Sequence, residues 1–240
     1  MYRKILAMLL SMALLFCCSF SPAEEMFSDD EEFFDEEIED MTEEDFAKQK
    51  RELAAKAGYT MENYKEEGDF TYEVSDDELF CRTVRYNKPE DEGIVTVPET
   101  LGGYPVAAIG DHTFMGCMIS GVVLPEGITE LGEQAFFQCM NLQEIIIPEG
   151  VEILQKCCFG ACTQLFSVML PSTLLEVGEM AFLGCASLQE IVFPESLETI
   201  GLNAFNTCAT LRRAVLPSED VDVDPTAFAN CPALTIEYLQ

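Results

Sequence analysis

Cysteine is the residue type with the most chemical reach in this 240-residue chain, which carries eleven of them. Six (Cys117, Cys139, Cys162, Cys185, Cys208 and Cys231) stand 22 or 23 residues apart. Paired, they would make disulfides; converged as thiolates, they would hold a soft metal. A constant interval favours neither. Equivalent side chains in a regular array point the same way, so they do not converge on an ion or turn toward one another for bridging. Free thiols are expected, buried as small apolar groups with a weak donor for loop carbonyls. Cys157 and Cys158 are adjacent, and a reactive vicinal pair competes there with plain drift. The single histidine, His112, leaves Ser/His and Cys/His dyads almost without material. Asp220, Asp222 and Asp224 alternate. Extended, they would share one face and could hold calcium, but the glycine and distal glutamate of an EF-hand loop are missing. A polar end cap is the favoured reading. No enzymatic activity, cofactor or metal is expected.

The elements that place these cysteines repeat. Pro125, Pro148, Pro171, Pro194 and Pro217 are 23 residues apart. Each carries the same register: Gly132, Gly178 or Gly201 seven residues on, then Phe136, Phe159, Phe182 or Phe205, then the cysteine, then Leu142, Leu165, Leu188 or Leu211. An apolar run leads to the next proline, as in Ile145-Ile146-Ile147. A period in the twenties with fixed apolar slots is the mark of a solenoid, in which no coil buries enough surface to fold alone. The register predicts six coils over 98–240. Each has a short strand that pairs with its neighbours and a short helical turn carrying the phenylalanine. In the third coil Gln155 replaces glycine and Cys158 replaces alanine, so a local distortion is expected there. Alternation at Phe70–Val74, Leu79–Tyr86 and Ile94–Val97 predicts a β-rich N-terminal cap over 69–97.

The chain has 44 Asp and Glu against 13 Lys and Arg, a net charge of −31. Such a field repels phosphate backbones and anionic lipid heads, so nucleic acid is not expected as a partner, nor a membrane beyond anchoring. Arg3 and Lys4, the apolar run Ile5–Phe16 and the small residues of Ser21-Pro22-Ala23 lay out a signal peptide over 1–23. Cys17 and Cys18 admit a lipid anchor as an alternative. Residues 24–45 hold fourteen Asp or Glu and no Lys or Arg. The span 24–68 is therefore predicted to be an acidic disordered segment, interrupted by a helix near 43–57.

The register Pro-x-x-Leu-x-x-Ile-Gly-x-x-Ala-Phe-x-x-Cys-x-x-Leu-x-x-Ile-x-Leu over 98–240 resembles the BspA-like, or Treponema-type, leucine-rich repeats. Phe70-Thr71-Tyr72 and Gly103-Tyr104-Pro105-Val106 resemble the N-terminal end of that family. The resemblance implies an α/β leucine-rich-repeat solenoid and a secreted or cell-surface location. Some members of the family are adhesins or host-matrix binders, so protein–protein interaction or adhesion is the implied function.

One strand slot points out of the core. It holds Val123, Ile146, Met169, Val192, Val215 and, in the last coil, Tyr238, with Glu144, Ser167, Glu190 and Arg213 beside it. Stacked, these would form an apolar stripe, and exposed stripes mark interaction surfaces. Plain β-propensity is the competing reading. The stripe is expected to take a protein ligand. In a purely structural surface protein it would instead be covered by the chain's own N-terminal segment or by a second copy.

Overall fold

The computed structural model describes residues 64–239. The predicted signal peptide, the helix near 43–57 and most of the acidic segment lie outside the described residues. Among these the chain winds as a series of stacked coils, each closed by two strands and a tight run of turns.

The cap comes first. β1 (Lys65–Glu67), β2 (Phe70–Val74) and β3 (Cys81–Tyr86) pair antiparallel in sequence. β1 stands ahead of residue 69, where the cap was expected to begin. β4 (Ile94–Thr96) follows, then the hairpin of β5 (Thr100–Leu101) and β6 (Tyr104–Ile109). Each later coil gives a three- or four-residue outer strand and a two-residue inner strand. The outer strands are β7 (Gly121–Val123), β9 (Glu144–Ile146), β11 (Ser167–Met169), β13 (Glu190–Val192), β15 (Arg213–Leu216) and β17 (Thr235–Tyr238). Between them come β8 (Glu130–Leu131), β10 (Ile153–Leu154), β12 (Glu176–Val177), β14 (Thr199–Ile200) and β16 (Asp222–Val223).

The inner strands were not predicted. They form one continuous parallel ladder from β6 to β16, and β3 joins it, so the cap and the solenoid share a sheet. The outer strands form two ladders, β4-β7-β9-β11 and β13-β15-β17. The break between β11 and β13 falls where the core slot of Ile147 and Leu170 passes to the aromatic Phe193.

The predicted helical turn is absent: the described residues contain no helix. The hydrogen bonds show why. In the second coil, Ala135, Phe137 and Cys139 donate their N–H groups within the coil, to the carbonyls of Gly132, Gln134 and Phe136. Gln134, Phe136 and Gln138 donate instead to Lys156, Cys158 and Gly160 of the next coil, at 3.0, 2.9 and 2.8 Å. Alternate donors therefore point along the solenoid axis, which an α-helix does not permit. Left-handed residues make the alternation, with φ of 54° at Gln134 and 61° at Gln138. Each costs about 1–2 kcal/mol in a residue with a side chain. The inter-coil hydrogen bonds, about 1 kcal/mol each, offset that cost.

The third coil keeps this pattern, and the expected distortion is not seen. Cys158 donates to Gln155 at 3.1 Å, and Cys157 and Phe159 donate forward to Glu179 and Ala181. Elsewhere the glycine slot is set by close approach. A Cβ on Gly132 would lie 2.4 Å from the Asp111 carboxylate, and one on Gly178 would lie 2.6 Å from the Leu154 carbonyl.

The core is a column of rings. Phe114, Phe136, Phe159, Phe182, Phe205 and Phe228 stack in order, with centroids 5.0–5.3 Å apart and planes within 12° of parallel. The rings sit in the turns of successive coils and repeat at close to the spacing of the paired strands, in the offset arrangement that aromatic pairs favour. Phe70 and Tyr86 of the cap close the column against Phe114. Leucines and isoleucines of every coil fill the space between the column and the two sheets.

Candidate interaction surface

The outer sheet presents two outward ladders, fixed by strand register. Thr96, Val123, Ile146 and Met169 align in the first sheet, and Val192, Val215 and Glu237 in the second. Beside them run Ile94, Gly121, Glu144 and Ser167, then Glu190, Arg213 and Thr235. Strand alternation puts Val122, Ile145, Ile191 and Ala214 inside, and all four are buried.

Of the predicted stripe, Val123, Ile146, Met169 and Val192 are exposed, Ile146 by 64%. Val215 is not: it is 3% exposed, flanked in register by Val192 and Glu237. Tyr238 is exposed but pairs with Leu216, one position off. Counting 23 residues from Val215 reaches Tyr238, whereas β17 pairs at an interval of 22 and brings Glu237 into the slot. A slip of one residue exchanges the faces of a strand.

The flanking charges divide along the axis. Arg213 forms ion pairs with Glu190 and with Glu237, the latter at 3.0 Å. Both lie in the open, where such pairs add little stability, but they give that end of the face a closed polar ladder. Glu144 has no ion pair among the described residues. It lies amid Val123, Ile146, Met169 and the exposed Ile94. Sequence reasoning missed Ile94. The signal was there: Ile94-Val95-Thr96-Val97-Pro98 has the same distance to its proline as Glu144-Ile145-Ile146-Ile147-Pro148.

The thiol array is structural. Cys139, Cys162, Cys185, Cys208 and Cys231 each donate Sγ to the carbonyl of the phenylalanine one coil back, at 3.0–3.2 Å. Burial pushes Cys117 and Cys185 up to about 12 and Cys139 and Cys162 well above the ordinary thiol range. In the vicinal pair, burial raises Cys157 to about 11 and Cys158 further. Thiols held protonated in this way are poor nucleophiles and poor metal ligands.

The aspartate row does not form a site. Asp224 accepts from the backbone and the hydroxyl of Thr226, at 2.8 and 2.5 Å, and those bonds hold its carboxyl below the usual range. Among the described residues no group of three or more His, Cys, Asp or Glu is placed to hold a metal. His112 sits in the left-handed slot shared with Gln134 and Asn203. No helix of the described residues is long and apolar enough to cross a membrane.

The family profile described as "BspA type Leucine rich repeat region" matches residues 107–235 in six copies. Among solved structures the chain is similar to a leucine-rich repeat protein of T. pallidum, at 28% identity and a TM-score of 0.50, over 72% of this chain and 71% of that one. It is similar to a leucine-rich repeat protein of Bacteroides ovatus at 26% identity and a TM-score of 0.58, covering 73% and 53%. It also shares the fold of a leucine rich cell surface protein of Faecalibacterium prausnitzii, at 22% identity and a TM-score of 0.60, covering 73% and 54%. The chain thus spans about half the length of the last two. No match was found among the curated proteins.

Proposed function

The chain belongs to the BspA-type leucine-rich repeat family, and on that premise we propose that it is an exported, non-enzymatic protein that binds a protein partner through its outer sheet face. The observation that carries this reading is the row of Val123, Ile146 and Met169 in the first outer sheet and Val192 in the second, all exposed while Val122, Ile145 and Ile191 beside them are buried. Surface of that kind, contiguous and rimmed by polar groups, suits association. The buried thiols, held above their ordinary range at every slot but the half-buried Cys231, and the Thr226-bound Asp224 carboxylate support a non-enzymatic role. The cell-surface description of the F. prausnitzii protein supports a surface location, as does the N-terminal layout of charge, apolar run and small residues.

The test compares capture of surface proteins by the full chain with capture by two folded variants. The double substitution Ile146→Asp, Val192→Asp charges the outer face. Ile153→Asp places one charge on β10 of the inner ladder, where Ile153 is also exposed. Loss of capture in the first and retention in the second is the expected result. Equal capture by both would remove the outer face from the function.

A further inference from the structure

The chemistry of the partner follows from charge, given the outer-face reading above, on which this step rests. We propose that the first outer sheet seats a cationic amphipathic helix along the solenoid axis, with apolar side chains over Val123, Ile146 and Met169 and a lysine or arginine over Glu144.

Three occupants could cover this face. Of the chain's own N-terminal segment, residues 24–45 carry fourteen acids and no base and are repelled, whereas 46–57 carry Lys48, Lys50, Arg51 and Lys56 against Glu52 and are an intramolecular competitor of the same sign as the proposed partner. A second copy would bring the same solenoid, in which 18 Asp and Glu over 98–240 face only Lys156, Arg212 and Arg213. Of those three bases, Lys156 is bound to Glu179, and Arg213 to Glu190 and Glu237. Face to face, two copies would bring their Glu144 carboxylates into one layer, and like charges brought together at an interface oppose association. A basic partner has the opposite sign at every one of these points and gains in encounter rate as well.

Spacing selects the partner's secondary structure. The ladder residues sit one strand apart, about 4.8 Å. A helix with apolar residues three and four apart places them about 5.3 Å apart along its axis. An extended segment on the same line places same-face side chains about 6.7 Å apart, and falls out of step within two coils. Strand addition is closed to the partner at β7 and β9, which are each paired on both sides. Gly121 and Ser167, in the ladder beside Val123 and Met169, leave the seat shallow on one side. The Glu190–Arg213–Glu237 ladder beyond the β11–β13 break marks its far end.

The probe is a labelled 14-residue peptide with leucine at the apolar helical positions and lysine elsewhere, titrated by fluorescence anisotropy against the full chain at low and high salt. Analogues replace every lysine with glutamine or with glutamate. A fourth peptide alternates valine and lysine at matched charge. The lysine helix is expected to bind at least tenfold more tightly than the glutamine helix and the alternating peptide, and the glutamate helix is expected not to bind. Ile146→Asp is expected to weaken the lysine helix at least tenfold although it adds a negative charge, and Met169→Asp likewise. Glu144→Lys is expected to weaken it more than Glu176→Lys, the same charge change on β12 of the inner ladder. Equal effects of Glu144→Lys and Glu176→Lys, or equal binding of the glutamine helix, would overturn the cationic partner while leaving the face intact. Tight binding of the alternating peptide would overturn the helix. Lysine-helix binding that ignores both Ile146→Asp and Met169→Asp would overturn the outer-face reading itself.

Discussion

The Sγ of Cys162 donates to the carbonyl oxygen of Phe136, 3.1 Å away and one coil back. That oxygen already accepts from the N–H of Cys139 at 3.1 Å. The thiol thus fills the second lone pair of a carbonyl that no water reaches, since Phe136 and Cys162 are fully buried. Cys162→Ala removes the donor and part of the volume, and is expected to cost about 1–3 kcal/mol. Cys162→Ser keeps a donor and should cost less, whereas Cys162→Val keeps bulk without one and should cost the most. Urea unfolding of the three variants checks the order.

The ring column gives a second prediction. Phe159 lies between Phe136 and Phe182 at 5.2 and 5.3 Å, while Phe228 ends the stack with one ring neighbour and is only partly buried. Phe159→Ala is expected to destabilise by about 3–5 kcal/mol, and Phe228→Ala by clearly less. In an array stabilised by nearest-neighbour contacts, the central loss should also lower the unfolding cooperativity. Thermal melts by circular dichroism measure both.

Much of this was legible in the sequence, because a 23-residue period is long and its slots are strict. The solenoid, the buried phenylalanines and the role of the cysteine as a donor to loop carbonyls all follow from it. What failed did so for local reasons. The phenylalanine turn is not the short helical turn expected for Ala135-Phe136. The left-handed φ at Gln134 and Gln138 depends on donors turning to the next coil, and no single coil shows that. The inner strands are two residues long, too short for alternation to register. Ile94 was legible but fell outside the counted repeats, Tyr238 is displaced by a single-residue slip at β17, and Val215 keeps its slot but is buried.

The left-handed slots offer a gain in stability. Ala161 holds φ of 58° in the position occupied by Gly116 and Gly184 in other coils. Ala161→Gly relieves the left-handed cost but frees the unfolded chain, with a net stabilisation of up to about 1 kcal/mol. A rise in the urea midpoint with an unchanged slope would show it, and a fall would mean that the alanine methyl makes contacts worth more than the strain.

Alkali should undo the fold through the thiols. Their ordinary value is 9.0, and burial raises Cys157 to about 11 and Cys117 and Cys185 to about 12. Below pH 9 the folded and unfolded chains both hold these protons, so the stabilising contribution is fully present. Between 9 and 12 the unfolded chain releases protons that the folded one keeps. Stability then falls by up to about 1.4 kcal/mol per pH unit for each such thiol. Urea midpoints from pH 7 to 11 in reductant should be flat to about 9 and drop steeply beyond, less steeply in Cys117→Ala.

The most direct test of the outer face as the binding surface is site-specific photo-crosslinking in the full chain. A benzophenone side chain replaces Ile146 in one protein and Ile153 in another, two exposed isoleucines on different sheets. Irradiation with surface proteins present should give a discrete adduct from position 146 and none from position 153. Adducts from 153 alone, or the same adducts from both positions, would contradict the account.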